Sequence, residues 1–108
     1  MNAPLSIDGY QEAAARTINA TLNHEQCLLD AAAGLAEEAG EVLSHARKHV
    51  MQGRPIDRAA VAEELGDALW CIAIVAHTMG LTLSDVALAN VEKLRARHPD
   101  GLETPRPR

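Results

Sequence analysis

The sequence predicts an all-α fold, a four-helix bundle-like domain completed by oligomerisation, and three observations carry this. The apolar residues are almost entirely Ala, Leu, Val and Ile, with one Trp, one Tyr and no Phe, a set suited to close helix packing. Capping signals recur at spacings that mark helix starts. No β alternation, internal repeat or low-complexity block interrupts them. At 108 residues and 47% hydrophobic content, residues 1–108 are expected to form one domain with a single core.

The first helix is expected to open at Asp8 with Gln11 completing a reciprocal cap, and to run to about Leu22. Asn23 and Gln26 repeat the signal, opening a long second helix from about Glu25 to Met51 that stops at Gly53 and Pro55. Asp57 caps a third helix to about Met79, ended by Gly80. Thr82 or Ser84 opens a fourth, with apolar Val86, Leu88, Val91 and Leu94, which ends near Arg97 because Pro99 and Asp100-Gly101 break it. The segment from 99 to 108 is expected to be mobile. Between Leu69 and Met79 the third helix is apolar on nearly every side, more than a domain this small can cover, so a homodimer or homotetramer is expected.

A net charge of −5 argues against a nucleic-acid-binding surface. The apolar run Ala68 to Ala76 is too short to cross a bilayer. Cys27 and Cys71 form neither a metal spacing nor a disulfide framework, and no secretory leader is recognisable, so reduced thiols and a cytoplasmic location are expected.

Two acidic clusters carry the chemistry. Glu37-Glu38-Ala39-Gly40-Glu41 lies on the second helix and Glu63-Glu64-Leu65-Gly66-Asp67 on the third. Residues three apart share a helix face, so Glu38 with Glu41 and Glu64 with Asp67 can present four carboxylates to the groove between antiparallel helices. Carboxylates this close repel and raise their own pKa values unless a cation compensates them. An all-oxygen set selects a hard ion, magnesium first with manganese as substitute. Gly40 and Gly66 each cost a helix about 1 kcal/mol relative to Ala, which suggests close approach of a helix or ligand there. Glu63 points about 100° from Glu64 and is expected at the surface. A solvated charged face is the simpler reading of one such cluster, but it accounts poorly for two matched ones. His45 and His49 are expected at the surface or an interface, because hard-ion sites favour oxygen. A di-iron carboxylate bundle requires Glu-x-x-His pairs, and this chain contains none.

The ordered set Glu37, Glu38, Glu41, then Glu64 and Asp67 resembles the E-E-x-x-E and E-x-x-D hallmark of the MazG-like nucleotide pyrophosphohydrolases, within the all-α NTP pyrophosphatase superfamily. Tyr10-Gln11, Gly34-Leu35-Ala36, Glu64 to Trp70 and Asn90 to Pro99 are similar to further blocks of that family, over roughly Tyr10 to Gly101. Cys71 departs from the pattern, where many relatives carry an aromatic residue, and leaves base preference open. The resemblance implies magnesium-dependent hydrolysis of (deoxy)nucleoside triphosphates between the α and β phosphates, giving monophosphate and pyrophosphate, as in nucleotide-pool sanitation. It implies metal ligation by Glu38, Glu41, Glu64 and Asp67, a catalytic role for Glu37, Glu38 and Lys93, and phosphate contacts from Lys93 and Arg97. Asn90 and Lys93 share one face of the fourth helix and would meet the nucleotide, with Arg95 off that face. Tyr10, Gln11 and Trp70 are candidates for the sugar and base end. A phosphoribosyl-ATP pyrophosphohydrolase-like enzyme and a non-enzymatic helical interaction module are the competing readings.

Overall fold

A long antiparallel hairpin of two helices organises the chain in the computed structural model, which describes residues 4–101. The four helices are α1 (Ile7–Ala15), α2 (His24–Gln52), α3 (Arg58–Thr78) and α4 (Leu83–Arg97), and no strand occurs among the described residues. The all-α, four-helix expectation holds. Residues 102–108, most of the segment expected to be mobile, lie outside the described residues; Pro99 to Gly101 form a turn in which the Gly101 N–H donates to the His98 carbonyl.

The α2 boundaries follow from their caps. The Asn23 side chain accepts from the Gln26 N–H while the Gln26 side chain accepts from the Asn23 N–H, a complete capping box. At the other end Gly53 takes the left-handed conformation, φ 68°, and its N–H bonds the Lys48 carbonyl. His49 Nδ1 lies 2.6 Å from the Arg54 carbonyl, which ties the chain leaving α2 back onto its last turn. Asp57 caps α3 through the Ala60 N–H, and Gly80, φ 71°, follows its end.

The first helix departs from expectation at both ends. Its N-cap is Ser6, whose hydroxyl accepts from the Gly9 N–H, and not Asp8. It stops at Ala15 instead of Leu22 because polar side chains capture the backbone just beyond. Thr17 bonds the Ala14 carbonyl with both its N–H and its hydroxyl, and Asn19 Oδ1 accepts from the Thr21 N–H and hydroxyl. Gln11 and Asp8 are spent on tertiary contacts. Gln11, only 7% exposed, donates from Nε2 to the Leu81 carbonyl and accepts at Oε1 from the Leu83 N–H. Asp8 accepts from both the N–H and the hydroxyl of Ser84. These bonds to the Ser84 hydroxyl and N–H hold the Asp8 carboxyl below its ordinary pKa. Of the two residues considered for opening α4, Thr82 is the cap, accepting from the Asp85 N–H.

The core is small and built from small side chains: Ala14, Ala31, Ala73, Ile74, Ala76 and Leu83, with Tyr10, Ile18, Trp70 and Val75 packed against it. The two helices of the hairpin are in close contact at Gly34, where an added Cβ would lie 2.9 Å from the buried Cys71 Sγ. Gly34→Ala therefore sets a helix-propensity gain of up to about 1 kcal/mol against an overpacking cost of about 1–3 kcal/mol. A net loss of stability is expected by denaturant unfolding, and in a Cys71→Ala background the same change should become stabilising. Gly40 and Gly66 behave differently from expectation, since an added Cβ at either meets nothing within 4 Å. Both lie on exposed helix faces, so within one chain they mediate no close approach.

The chain turns sharply between α3 and α4, whose axes lie 103° apart, and α4 packs chiefly on α1 and not along the hairpin. The bundle is consequently open. Leu65 (55%) and Leu69 on α3, and Val86, Leu88 (61%) and Val91 on α4, remain exposed, and an apolar groove lined by Leu35, Ile72, Val75, Leu83 and Val86 runs into the elbow. Among the described residues no single helix is long and apolar enough to cross a membrane.

Candidate metal centre

The i,i+3 spacing that places acids on one helix face also aims them across the hairpin. Glu38 from α2 and Glu64 and Asp67 from α3 each bring a carboxylate oxygen within 4.8 Å of the others. Glu41, one turn along α2 from Glu38, lies close enough to Glu64 to raise its pKa. Partial burial is the main cause of that rise, followed by the charges of Glu38 and Glu41 and the side-chain interaction with Glu41, while His45 nearby opposes it. Glu38 is raised likewise, by partial burial first and then by Asp67, Glu41 and Glu37.

The four expected ligands thus gather at one place on the hairpin, three within reach of a common point and Glu41 at its edge. One atom gives the cluster its direction: Glu38 Oε2 is buried without any hydrogen-bond partner. A buried carboxylate oxygen with no protein donor carries an uncompensated desolvation cost. No Lys or Arg among the described residues lies within ion-pairing distance of these acids; the ion pair found is Arg95 with Glu92 on α4. A small hard cation needs about 2.1 Å to each oxygen, so modest rotamer changes would let the three oxygens share one. The donor set fits a divalent hard metal.

The remaining candidates divide. Glu37 is exposed beside the cluster and acts electrostatically on Glu38 and Cys71. Glu63 is exposed, as expected. Trp70 stands one turn beyond Asp67 on α3, partly buried, its indole Nε1–H donating to Thr17 Oγ1 at 2.7 Å. Tyr10 packs nearby, its phenol pushed up by burial and then by Asp67 and Cys71. Gln11 lies instead at the elbow, engaged with Leu81 and Leu83. Asn90, Lys93 and Arg97 are exposed on α4, which packs chiefly on α1, and neither Lys93 nor Arg97 ion-pairs with the acids. Arg95 is exposed and paired with Glu92.

Three neighbours of the cluster escaped sequence reasoning. His45, expected at the surface or an interface, is partly buried with its charge felt by Glu64; its position four residues after Glu41 was the available signal. Cys71 lies beneath the acids, its thiol pushed up by burial and then by Glu38, Asp30, Asp67 and Glu37. The signal for that placement was a glycine, Gly34, within a long helix. Asp30 had no signal, because its proximity depends on how α2 lies on α3.

Residues 26–102 match the family model described as the MazG nucleotide pyrophosphohydrolase domain. Among curated proteins, the Gene 37 protein of Mycobacterium phage L5 is 32% identical over 73 residues, 64% of this chain. The match likewise spans 64% of that relative's own length. No solved structure matches.

Proposed function

Since the chain belongs to the MazG nucleotide pyrophosphohydrolase family, we propose that it hydrolyses (deoxy)nucleoside triphosphates to nucleoside monophosphate and pyrophosphate with magnesium, or manganese in its place. The observation that carries this reading is the orphaned Glu38 Oε2, buried opposite Glu64 and Asp67 with no Lys or Arg ion-paired to these acids among the described residues. Glu38, Glu64 and Asp67 would hold the metal, and Glu41, beside Glu64, would join them. Bound there, the cation supplies Lewis-acid charge that offsets the anionic phosphates and acidifies water. Glu37, exposed at the edge of the cluster, accepts a proton from the attacking water and orients it. No serine, cysteine or histidine nucleophile is needed.

Phosphates also call for cationic side chains, and here the open bundle matters. Among the described residues Lys93 and Arg97 have no carboxylate partner, and the acids of the hairpin have no Lys or Arg partner. The apolar surfaces of α3 and α4 lack cover. A homodimer, alone or within a homotetramer, would satisfy both, burying those surfaces and bringing Asn90, Lys93 and Arg97 of α4 to the acids of a second copy. The proposed setting is the cytoplasm, in sanitation of the nucleotide pool, without nucleic-acid or membrane partners.

The test is to incubate the purified chain with ribo- and deoxynucleoside triphosphates, modified bases included, with magnesium or with chelator, and to separate the products by ion exchange. Metal-dependent monophosphate and pyrophosphate are expected. Diphosphate and phosphate would show cleavage of a different bond, and no product from any nucleotide would overturn the reading.

A further inference from the structure

We propose that Thr17, outside every acidic motif, is the positioning residue that fixes Trp70 as a stacking platform for the nucleobase; this rests on the reading of a nucleotide site above. The chain of atoms is direct. The Trp70 indole Nε1–H donates to Thr17 Oγ1 at 2.7 Å, and Thr17 Oγ1 donates in turn to the Ala14 carbonyl at 2.7 Å. Because the Ala14 carbonyl can only accept, it fixes the direction of the Thr17 proton and leaves the hydroxyl lone pairs facing the indole. The relay crosses from the segment that ends α1 to the middle of α3, fifty-three positions apart in the chain.

Two consequences follow for the site. Turning the ring breaks this bond, which lies at the surface of the chain, so the bond favours one ring plane relative to Asp67, about 4.5 Å away along the helix axis. The polar edge of the indole is also already committed to protein. Trp70 then has only its π face and apolar edge to offer, which can stack on a purine or pyrimidine but cannot read the edge of either. Discrimination between bases therefore has to come from other groups.

Trp70 is the one tryptophan in the chain, so its fluorescence reports on this position alone. The experiment compares the parent with Thr17→Val, Thr17→Ser, Trp70→Phe and the Val/Phe double variant. For the parent and the two Thr17 single variants the readouts are tryptophan emission and acrylamide quenching without ligand and quenching by an α,β-methylene deoxynucleoside triphosphate with magnesium; steady-state kinetics is read on every protein. Thr17→Val is expected to shift the unliganded emission to the red and increase acrylamide quenching. It should also weaken binding of the non-hydrolysable nucleotide and raise KM about fivefold, the value of one net hydrogen bond, with kcat within about twofold. Thr17→Ser keeps the hydroxyl and should restore all of these. Trp70→Phe should raise KM at least as much, and the double variant no further.

Unaltered emission and quenching in Thr17→Val would overturn the anchoring. Altered emission with unchanged nucleotide binding would overturn the link to the site, as would failure of Ser to rescue. If no nucleotide is cut by the parent, the proposed activity fails, while the emission and binding measurements still judge the Thr17–Trp70 pair.

Discussion

Glu64→Gln is expected to leave a folded chain that resists heat better than the parent in chelator and has lost at least about 10²–10³-fold of its activity, the scale on which one charge-stabilising group counts. The stability half of this expectation follows from sign. Partial burial, then Glu38 and Glu41, raise the Glu64 pKa in the folded protein. A carboxyl whose folded pKa is raised penalises the fold above that pKa, where it must ionise, and the penalty is relieved as pH falls through it. Metal-free parent protein should therefore gain thermal midpoint on mild acidification from neutrality, and Glu64→Gln should start higher and gain less. Magnesium should reverse the order, because saturating metal at about a hundred times its dissociation constant adds about 2.7 kcal/mol to the parent and nothing comparable to the variant. Glu38→Gln should follow the same pattern, and Asp67→Asn should likewise lose the stabilisation by magnesium, in calorimetry with and without metal. A Glu64→Gln protein that is active, or that magnesium still stabilises as it does the parent, would remove the basis for a shared metal site.

Mixing two inactive variants should restore activity. Lys93→Ala is expected to lose about 10²-fold through the missing phosphate charge, and Glu64→Gln to fail for lack of a metal ligand. If Lys93 serves the acids of a second copy, a heterodimer of the two variants contains one site with both groups intact. Random reassortment then recovers about a quarter of parental activity. If Lys93 serves its own chain, each site in the heterodimer carries one lesion and nothing returns. Light scattering of the parent accompanies the experiment, since a stable monomer would itself exclude the arrangement. The open angle at the elbow, the exposed α4 and the separation of acids from cations within one chain are what make the first outcome the expected one.

The parts of this architecture that were legible in the sequence are those governed by neighbours within a turn or two. Asn23 and Gln26 cap each other, Gly53 and Gly80 take the left-handed turn, and Glu38, Glu64 and Asp67 meet because a helix repeats every few residues. What was illegible depends on distant partners. Asp8 and Gln11 have the spacing of a local cap, yet Ser84, Leu81 and Leu83 offer them bonds that the local pattern cannot reveal. The early end of α1 is instead local, since Thr17 and Asn19 capture backbone groups within three residues that the Ala-rich run before them does not announce. The direction of α4 is set by the elbow and not by anything in α4 itself, which is why Asn90, Lys93 and Arg97 could be grouped on a face but not located relative to the acids.

The contacts of Asp8 and Gln11 with the elbow also order events in time. The α2–α3 hairpin closes through residues joined by one short connection, while the bonds from Gln11 to Leu81 and Leu83 and from Asp8 to Ser84 span at least 70 positions. The entropic cost of closing so long a loop is met only after the intervening helices have shortened it. Although α1 is synthesised before the other helices, it locks into place after them. Until then the fourth helix has no fixed heading, so any pairing of chains that depends on that heading must wait for the α1 lock to close.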